Sequence, residues 1–287
     1  MRDRSVARAL ALCAAVLMLG ACGGGDSASN NNSPAGSTNP PSSPAPPAPA
    51  PLPTGVLFQD GFESGNLSFT QSGIRWGDSV RTSVNALNAR SGTRSLQFTF
   101  PGVADGDDSF SEQRIELTNP YTEIWIRFDL HVPGNYVHRT QSGATNNKFF
   151  ALYRNPYTAP GFHVNFSTAA DGSGGSDLHI HYYDNGVERS VLSPAGGRGF
   201  LTSADHGQWH QIVLHVRVPT GQDTNDGVMQ LWKNGVQLVN ITNLDAWGGT
   251  GSNYFDAGYV LGWANSGFSQ QTLFYVDNFV IATESLR

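Results

Sequence analysis

The chain has 287 residues, with 17 Lys and Arg against 23 Asp and Glu and a formal net charge of −6. A protein of this sign is not drawn to polyanions by its overall field, so nucleic acid is excluded as an expected partner. Its 2 cysteines, Cys13 and Cys22, both lie near the N-terminus, which leaves the rest of the chain without a disulfide, a Cys metal site or a Cys nucleophile.

The first residues carry Arg2, Arg4 and Arg8, followed by a short apolar run from Ala9 to Leu19. This is the layout of a signal peptide and is too short for a membrane span. The run ends Leu19-Gly20-Ala21-Cys22, which resembles the bacterial lipobox. The resemblance implies cleavage after residue 21, a lipid on Cys22 and anchoring in the bacterial cell envelope. Gly23, in place of Asp, points to the outer membrane. Several acyl chains together would anchor the protein stably. Residues 22–54 continue in Gly, Ser, Asn, Pro and Ala, with almost no side chain able to pack; the expectation is a tether. The folded domain is expected over 55–287, as a monomer.

From Val56 onward no helical period appears. Short alternating or β-rich runs cover 56–60, 67–71, 79–84, 95–100, 111–117, 123–132, 147–153, 161–167, 177–183, 187–192, 208–218, 227–233, 236–241, 259–263 and 272–282. Turn signals punctuate them, among them Ser91-Gly92, Asn119-Pro120 and Asn234-Gly235, the last a two-residue hairpin signal. So many strands in one domain predict an all-β, two-sheet antiparallel jelly-roll sandwich.

Alternation sorts the strand residues into faces. Over 123–132, Ile124, Ile126, Phe128, Leu130 and Val132 oppose Trp125, Arg127, Asp129 and His131. The preceding run sets Glu112, Arg114 and Glu116 on one side, and a short turn at Asn119-Pro120 is expected to join the two as neighbouring strands. Elsewhere His163 and Asn165, then His179, His181 and Tyr183, and then Gln211, His215 and Arg217 occupy polar faces. Five of the 8 histidines therefore sit at such positions, a residue type suited to acid–base work near neutrality. Their clustering on one sheet and their dispersal over two are both open. His163 with His179 and His181 also allows a zinc reading, without a closely spaced carboxylate to complete it.

Ser111-Glu112-Gln113-Arg114-Ile115-Glu116-Leu117 resembles the Arg-x-Glu-Leu strand of jelly-roll polysaccharide lyases of the heparin lyase I and alginate lyase type. Gly92–Phe98 and Glu123–Phe128 resemble the strands before and after it. Gly207–Val213 and Gly227–Gly235 resemble the hairpin region of concanavalin A-like domains. The resemblance implies a polysaccharide partner and cleavage of a uronic-acid polymer by β-elimination. A lectin-like module without turnover is the alternative. In the lyase reading Arg114, with Gln113 or Asn165, neutralises the substrate carboxylate. His163 or His181 takes the proton and Tyr183 serves as the acid. Glu112, Trp125, Arg127, His179 and Trp247 complete the expected substrate contacts. The late Phe-Lys-x-Gly-x-Tyr strand of such lyases has its nearest match in Tyr259-Val260-Leu261-Gly262-Trp263-Ala264, where the lysine and second tyrosine are missing, so either the acid has moved, to Tyr183 or Tyr259, or the site is not a lyase site. The Glu-x-Asp-x-x-Glu signature of the related glucanases is absent. Asp60, Glu63 and Asp277 resemble the terminal-strand carboxylates that hold a structural Ca²⁺ in many sugar-binding sandwiches.

Overall fold

A computed structural model describes residues 52–140, 146–157, 162–184, 187–192, 198–247 and 253–287. The proposed signal segment, Cys22 and most of the tether lie outside them. Among the described residues sixteen strands follow one another. They are β1 (Val56–Asp60), β2 (Thr70–Gln71), β3 (Ile74–Val80), β4 (Thr82–Asn85), β5 (Ser95–Phe100), β6 (Ser109–Tyr121), β7 (Glu123–His131) and β8 (Asn147–Tyr153). Then come β9 (His163–Ala170), β10 (Ser176–Asp184), β11 (Val187–Leu192), β12 (Trp209–Arg217), β13 (Gly227–Lys233), β14 (Val236–Leu244), β15 (Phe255–Ala264) and β16 (Thr272–Ala282).

They form two sheets of eight strands. The first runs β14-β13-β12-β7-β16-β5-β4, with β1 also paired to β16. The second runs β11-β10-β9-β8-β15-β6-β3-β2. Every strand pairing is antiparallel, and the architecture is the expected jelly-roll sandwich. Asn234-Gly235 turns β13 into β14 with both residues at positive φ (50° and 79°), the conformation that a two-residue hairpin needs.

The 111–132 stretch is not a hairpin. β6 belongs to the second sheet and β7 to the first, so the segment at Tyr121–Glu123 crosses between layers. Each strand buries its apolar set in the shared core, from opposite sides. Ile115 and Leu117 face Ile124, Ile126 and Phe128 across that core, and all are essentially inaccessible. Glu112 and Arg114 on one strand and Trp125 and Arg127 on the other therefore lie on opposite outer faces of the molecule. Alternation is a property of each strand alone; it says nothing about which sheet a strand joins.

Aromatic side chains fill the space between the sheets beside β1 and β16. The Trp76 ring lies 4.9 Å from Phe279 and 5.6 Å from both Phe58 and Phe62. Its Nε1–H donates to Oδ2 of the buried Asp60 at 2.8 Å. Burial raises the Asp60 pKa, and the bonds from Trp76 and the Phe62 N–H act against that rise. Trp76→Phe keeps one aromatic ring, trims the rest of the indole and leaves the buried carboxylate short of a donor. It is expected to cost about 1–3 kcal/mol of unfolding free energy, read as a lower urea midpoint at unchanged slope.

Candidate active site

The outer face of the second sheet gathers most of the sequence-predicted residues in three rows that cross its strands. One row runs Glu116, Ala257, Tyr153 and His163. The next runs Arg114, Tyr259, Ala151, Asn165 and His181. A third holds Lys148, Ser167 and His179. A β-bulge at the Lys148–Phe150 step sends Phe149 and Phe150 both into the core and leaves Lys148 with Ala151 and Tyr153 on the outer side. Gly262 adjoins this row: a Cβ there would lie 3.2 Å from the Lys148 Cβ and 3.3 Å from Glu112 Oε2. Ala151, Ala257 and Gly262 have no bulk, so the centre of the face is low and the longer side chains stand around it.

The side chains touch as the rows imply. Tyr259 Oη donates to Asn165 Oδ1 at 2.9 Å. Tyr157, on the segment after β8, lies 5.1 Å ring to ring from His163 and 5.9 Å from Tyr259. The Tyr183 ring meets His163 edge-on at 4.2 Å. His179 and His181 are 3.9 Å apart by ring centroids. His181 Nδ1 approaches Glu188 Oε1 at 3.2 Å, while its Nε2 and the Ser167 hydroxyl are buried without a hydrogen-bond partner among the described residues. Arg114 Nε donates to Glu112 Oε1 at 2.9 Å, and its side chain is 43 % exposed. Glu116 pairs instead with Arg75.

The electrostatics of the face hold imidazoles neutral and phenols protonated. Burial pushes His163 down to about 4, helped by Lys148 and His181. Burial likewise takes His179 to about 4, with His181 contributing. His181 is lowered by burial and by Lys148, against the opposing pull of Glu188. Lys148 is itself lowered by burial. Tyr153 is pushed up to about 12 by burial despite the nearby Arg114 cation, and Tyr259 rises well above the ordinary phenol value for the same first reason. Arg114 is held charged by its bond to Glu112. A permanent cation on a half-exposed side chain, a buried amide, largely buried imidazoles and phenols that keep their protons thus share one face. Such a set can neutralise a carboxylate, accept a proton and return one.

Four expected contacts lie elsewhere. Gln113 points inward and is inaccessible; its amide is tied to Ser79, Thr82 and the Gly77 carbonyl at 2.6–3.0 Å. Trp125 lies on the outer face of the first sheet, stacked 4.0 Å from His215 and 5.6 Å from Trp232, with the Arg287 guanidinium 5.5 Å above it. Arg127 lines a separate cavity of about 560 Å³ on that sheet with Asp129, Gln211 and Asn278. Trp247 borders another, of about 340 Å³, with Glu123, Arg217 and Asn253. His131 and His215 also belong to the first sheet, so the five strand histidines divide three and two.

The three carboxylates expected to hold calcium meet N–H and O–H donors. Asp60 accepts from Phe62 N and Trp76 Nε1, Glu63 from the Thr93 and Arg94 backbone and the Thr93 hydroxyl, and Asp277 from the N–H groups of Arg90, Ser91 and Asn278. Calcium takes a shell of oxygens, and these donors present hydrogens to it. Among the described residues no group of three His, Cys, Asp or Glu is placed to hold a metal, the three site histidines included. Lys148, Tyr153 and Tyr157 are site residues that the sequence reading passed over. Lys148 was legible only as one of two lysines, and Tyr153 only as the end of an apolar run.

Two eight-stranded antiparallel sheets in this order, with a polar outer face on one of them, make the chain a concanavalin A-like jelly roll. Solved structures that share this fold include the following. A double alanine variant of alginate lyase Aly36B, in complex with alginate trisaccharide, superposes with TM-score 0.56 at 11 % identity, covering 80 % of this chain and 99 % of that one. Alginate lyase vAL-1 from Chlorella virus gives 0.53 at 10 % identity over 73 % and 93 %. The cellulose induced protein Cip1 gives 0.50 at 15 % identity over 79 % and 97 %. At these identities the likeness establishes the fold. No family model and no curated protein matches the chain.

Proposed function

We propose that the outer face of the second sheet is the active site of a polysaccharide lyase that cleaves a uronic-acid-containing polymer by β-elimination. The observation that carries this is Arg114, a held cation on a half-exposed side chain, on the same face as the neutral His163 and the protonated Tyr259. Arg114 and the Asn165 amide N–H bind the uronate carboxylate, so that charge building up on it as the neighbouring C–H bond breaks is stabilised. His163 accepts that proton. The electron pair forms the ring double bond and the glycosidic C–O bond breaks, and Tyr259 or Tyr153 gives its proton to the departing oxygen. No redox partner is needed. Incubation with alginate, glucuronan and heparin, followed by the ultraviolet absorbance of the unsaturated product, tests the reading directly. Product from at least one polyuronate is the expected result; retardation in a polymer-containing gel with no product is the outcome that would favour a binding module.

Lys148 provides a second reading for the base, because burial lowers its pKa in the middle of the face. The pH profile separates the two. The His163 imidazole is the active form above its depressed value of about 4, so with His163 as base kcat is flat from about pH 5.5 to 7.5 and falls below that. A lysine base must lose a proton first. In that case kcat climbs close to tenfold per unit over the same range until a limb somewhat below the ordinary lysine value.

The envelope location is part of the same proposal. Lipid on Cys22 would tether the domain where a large extracellular polymer can reach it. Mass spectrometry of the membrane-extracted protein is expected to show a diacylglyceryl group on Cys22, and Cys22→Ala is expected to move the protein to the soluble fraction.

A further inference from the structure

Trp263 is the most exposed tryptophan among the described residues, at 48 % of its surface. It follows Gly262, whose φ of +146° and the preceding Leu261 at +54° break the alternation of β15. As a result Val260 and Leu261 both enter the core, and Trp263 is left outside with its ring 4.6 Å from Phe110 at 22°, a stacked pair. Phe110 alternates with Glu112 and Arg114 along β6, and Trp263 is its register partner, so the pair lies on the active-site face. Arg81, exposed between β3 and β4, donates from Nη1 to the Phe110 carbonyl at 3.0 Å, which sets a guanidinium at the margin of the same pair. Four strand positions separate Trp263 from Tyr259, roughly 13 Å at ordinary strand rise. That is more than one sugar ring away from the bond being broken.

We infer that Trp263, backed by Phe110 and flanked by Arg81, is a remote subsite that stacks a pyranose ring of the polymer and meets its carboxylate with the guanidinium. An exposed indole held flat by a second ring offers an apolar plane to the C–H face of a sugar, and Arg81 makes that subsite selective for a uronate. The inference rests on the lyase reading for its substrate class. Because the subsite is away from the reacting bond, it acts on binding and leaves the chemical step alone.

The test compares wild type, Trp263→Ala, Trp263→Phe and Arg81→Gln on whichever polyuronate is cleaved, with a melting curve for each. Trp263→Ala is expected to raise KM by about five- to tenfold with kcat within about twofold, Trp263→Phe to recover most of the loss, and Arg81→Gln to raise KM by a few fold. An unchanged KM in a folded Trp263→Ala overturns the subsite and leaves the lyase reading standing. If wild type cleaves nothing, electrophoresis through gels cast with alginate decides separately. Retardation that Trp263→Ala abolishes supports the subsite while the lyase reading fails. Equal mobility of the two proteins, with or without retardation, overturns it.

Discussion

Arg114→Gln is expected to lower kcat on the cleaved polymer by about 10²- to 10³-fold, the usual consequence of removing one group that stabilises charge built up in the transition state. The competing effect is structural. Arg114 also neutralises Glu112, whose side chain is only 8 % exposed, so its loss leaves a poorly solvated carboxylate unpaired. The double variant Arg114→Gln/Glu112→Gln removes that complication, since both charges go together. If Arg114 acts on substrate, the double variant regains stability and stays as inactive as the single one. If it serves only to hold Glu112, the double variant regains activity. Arg114→Lys keeps the charge but loses the planar fork, and an intermediate kcat is expected.

Tyr259→Phe is the second large effect. The phenol is buried, its pKa stands well above the ordinary value, and its hydroxyl donates to Asn165. The Phe variant keeps the ring against Tyr153 and Tyr157 and removes the proton that the leaving oxygen takes. A loss of about 10²-fold or more in kcat is expected for a general acid, with KM little changed. Asn165 Oδ1 also loses its donor, a cost of about 1–3 kcal/mol if no water replaces it, so the melting curve reports the structural part of the change. If Tyr153 is the acid instead, Tyr259→Phe shows the stability loss with activity reduced only a few fold, and Tyr153→Phe shows the large kcat effect.

The sequence made the layers legible and left the pairing of layers open. Alternation put Arg114, His163, Asn165, His179, His181 and Tyr183 on polar strand faces, and all six share the outer face of the second sheet. The same reasoning put Trp125 and Arg127 beside them, because β6 and β7 are adjacent in sequence. The crossover at Tyr121–Glu123 sends them to the other side, and no local signal marks a turn that changes sheets. Gln113 was placed in the site by its neighbourhood in the motif, although its own alternation points it into the sandwich, where Ser79 and Thr82 satisfy it. Lys148 escaped notice for a related reason. The run Asn147–Tyr153 reads as continuous apolar core, and only the bulge at Phe149 reveals that its polar end belongs with the histidines. Trp263 is placed by two irregular backbone angles that alternation does not anticipate.

Where an acidic sugar sits is the central matter, and a crystal structure of Tyr259→Phe with a uronate tetrasaccharide measures it most directly. A sugar carboxylate within hydrogen-bond distance of the Arg114 guanidinium, with His163 beside the adjacent C–H, is the arrangement expected. A tetrasaccharide seated on the first sheet against Arg127 or Trp125, with the Arg114 face empty, would contradict the assignment of the site.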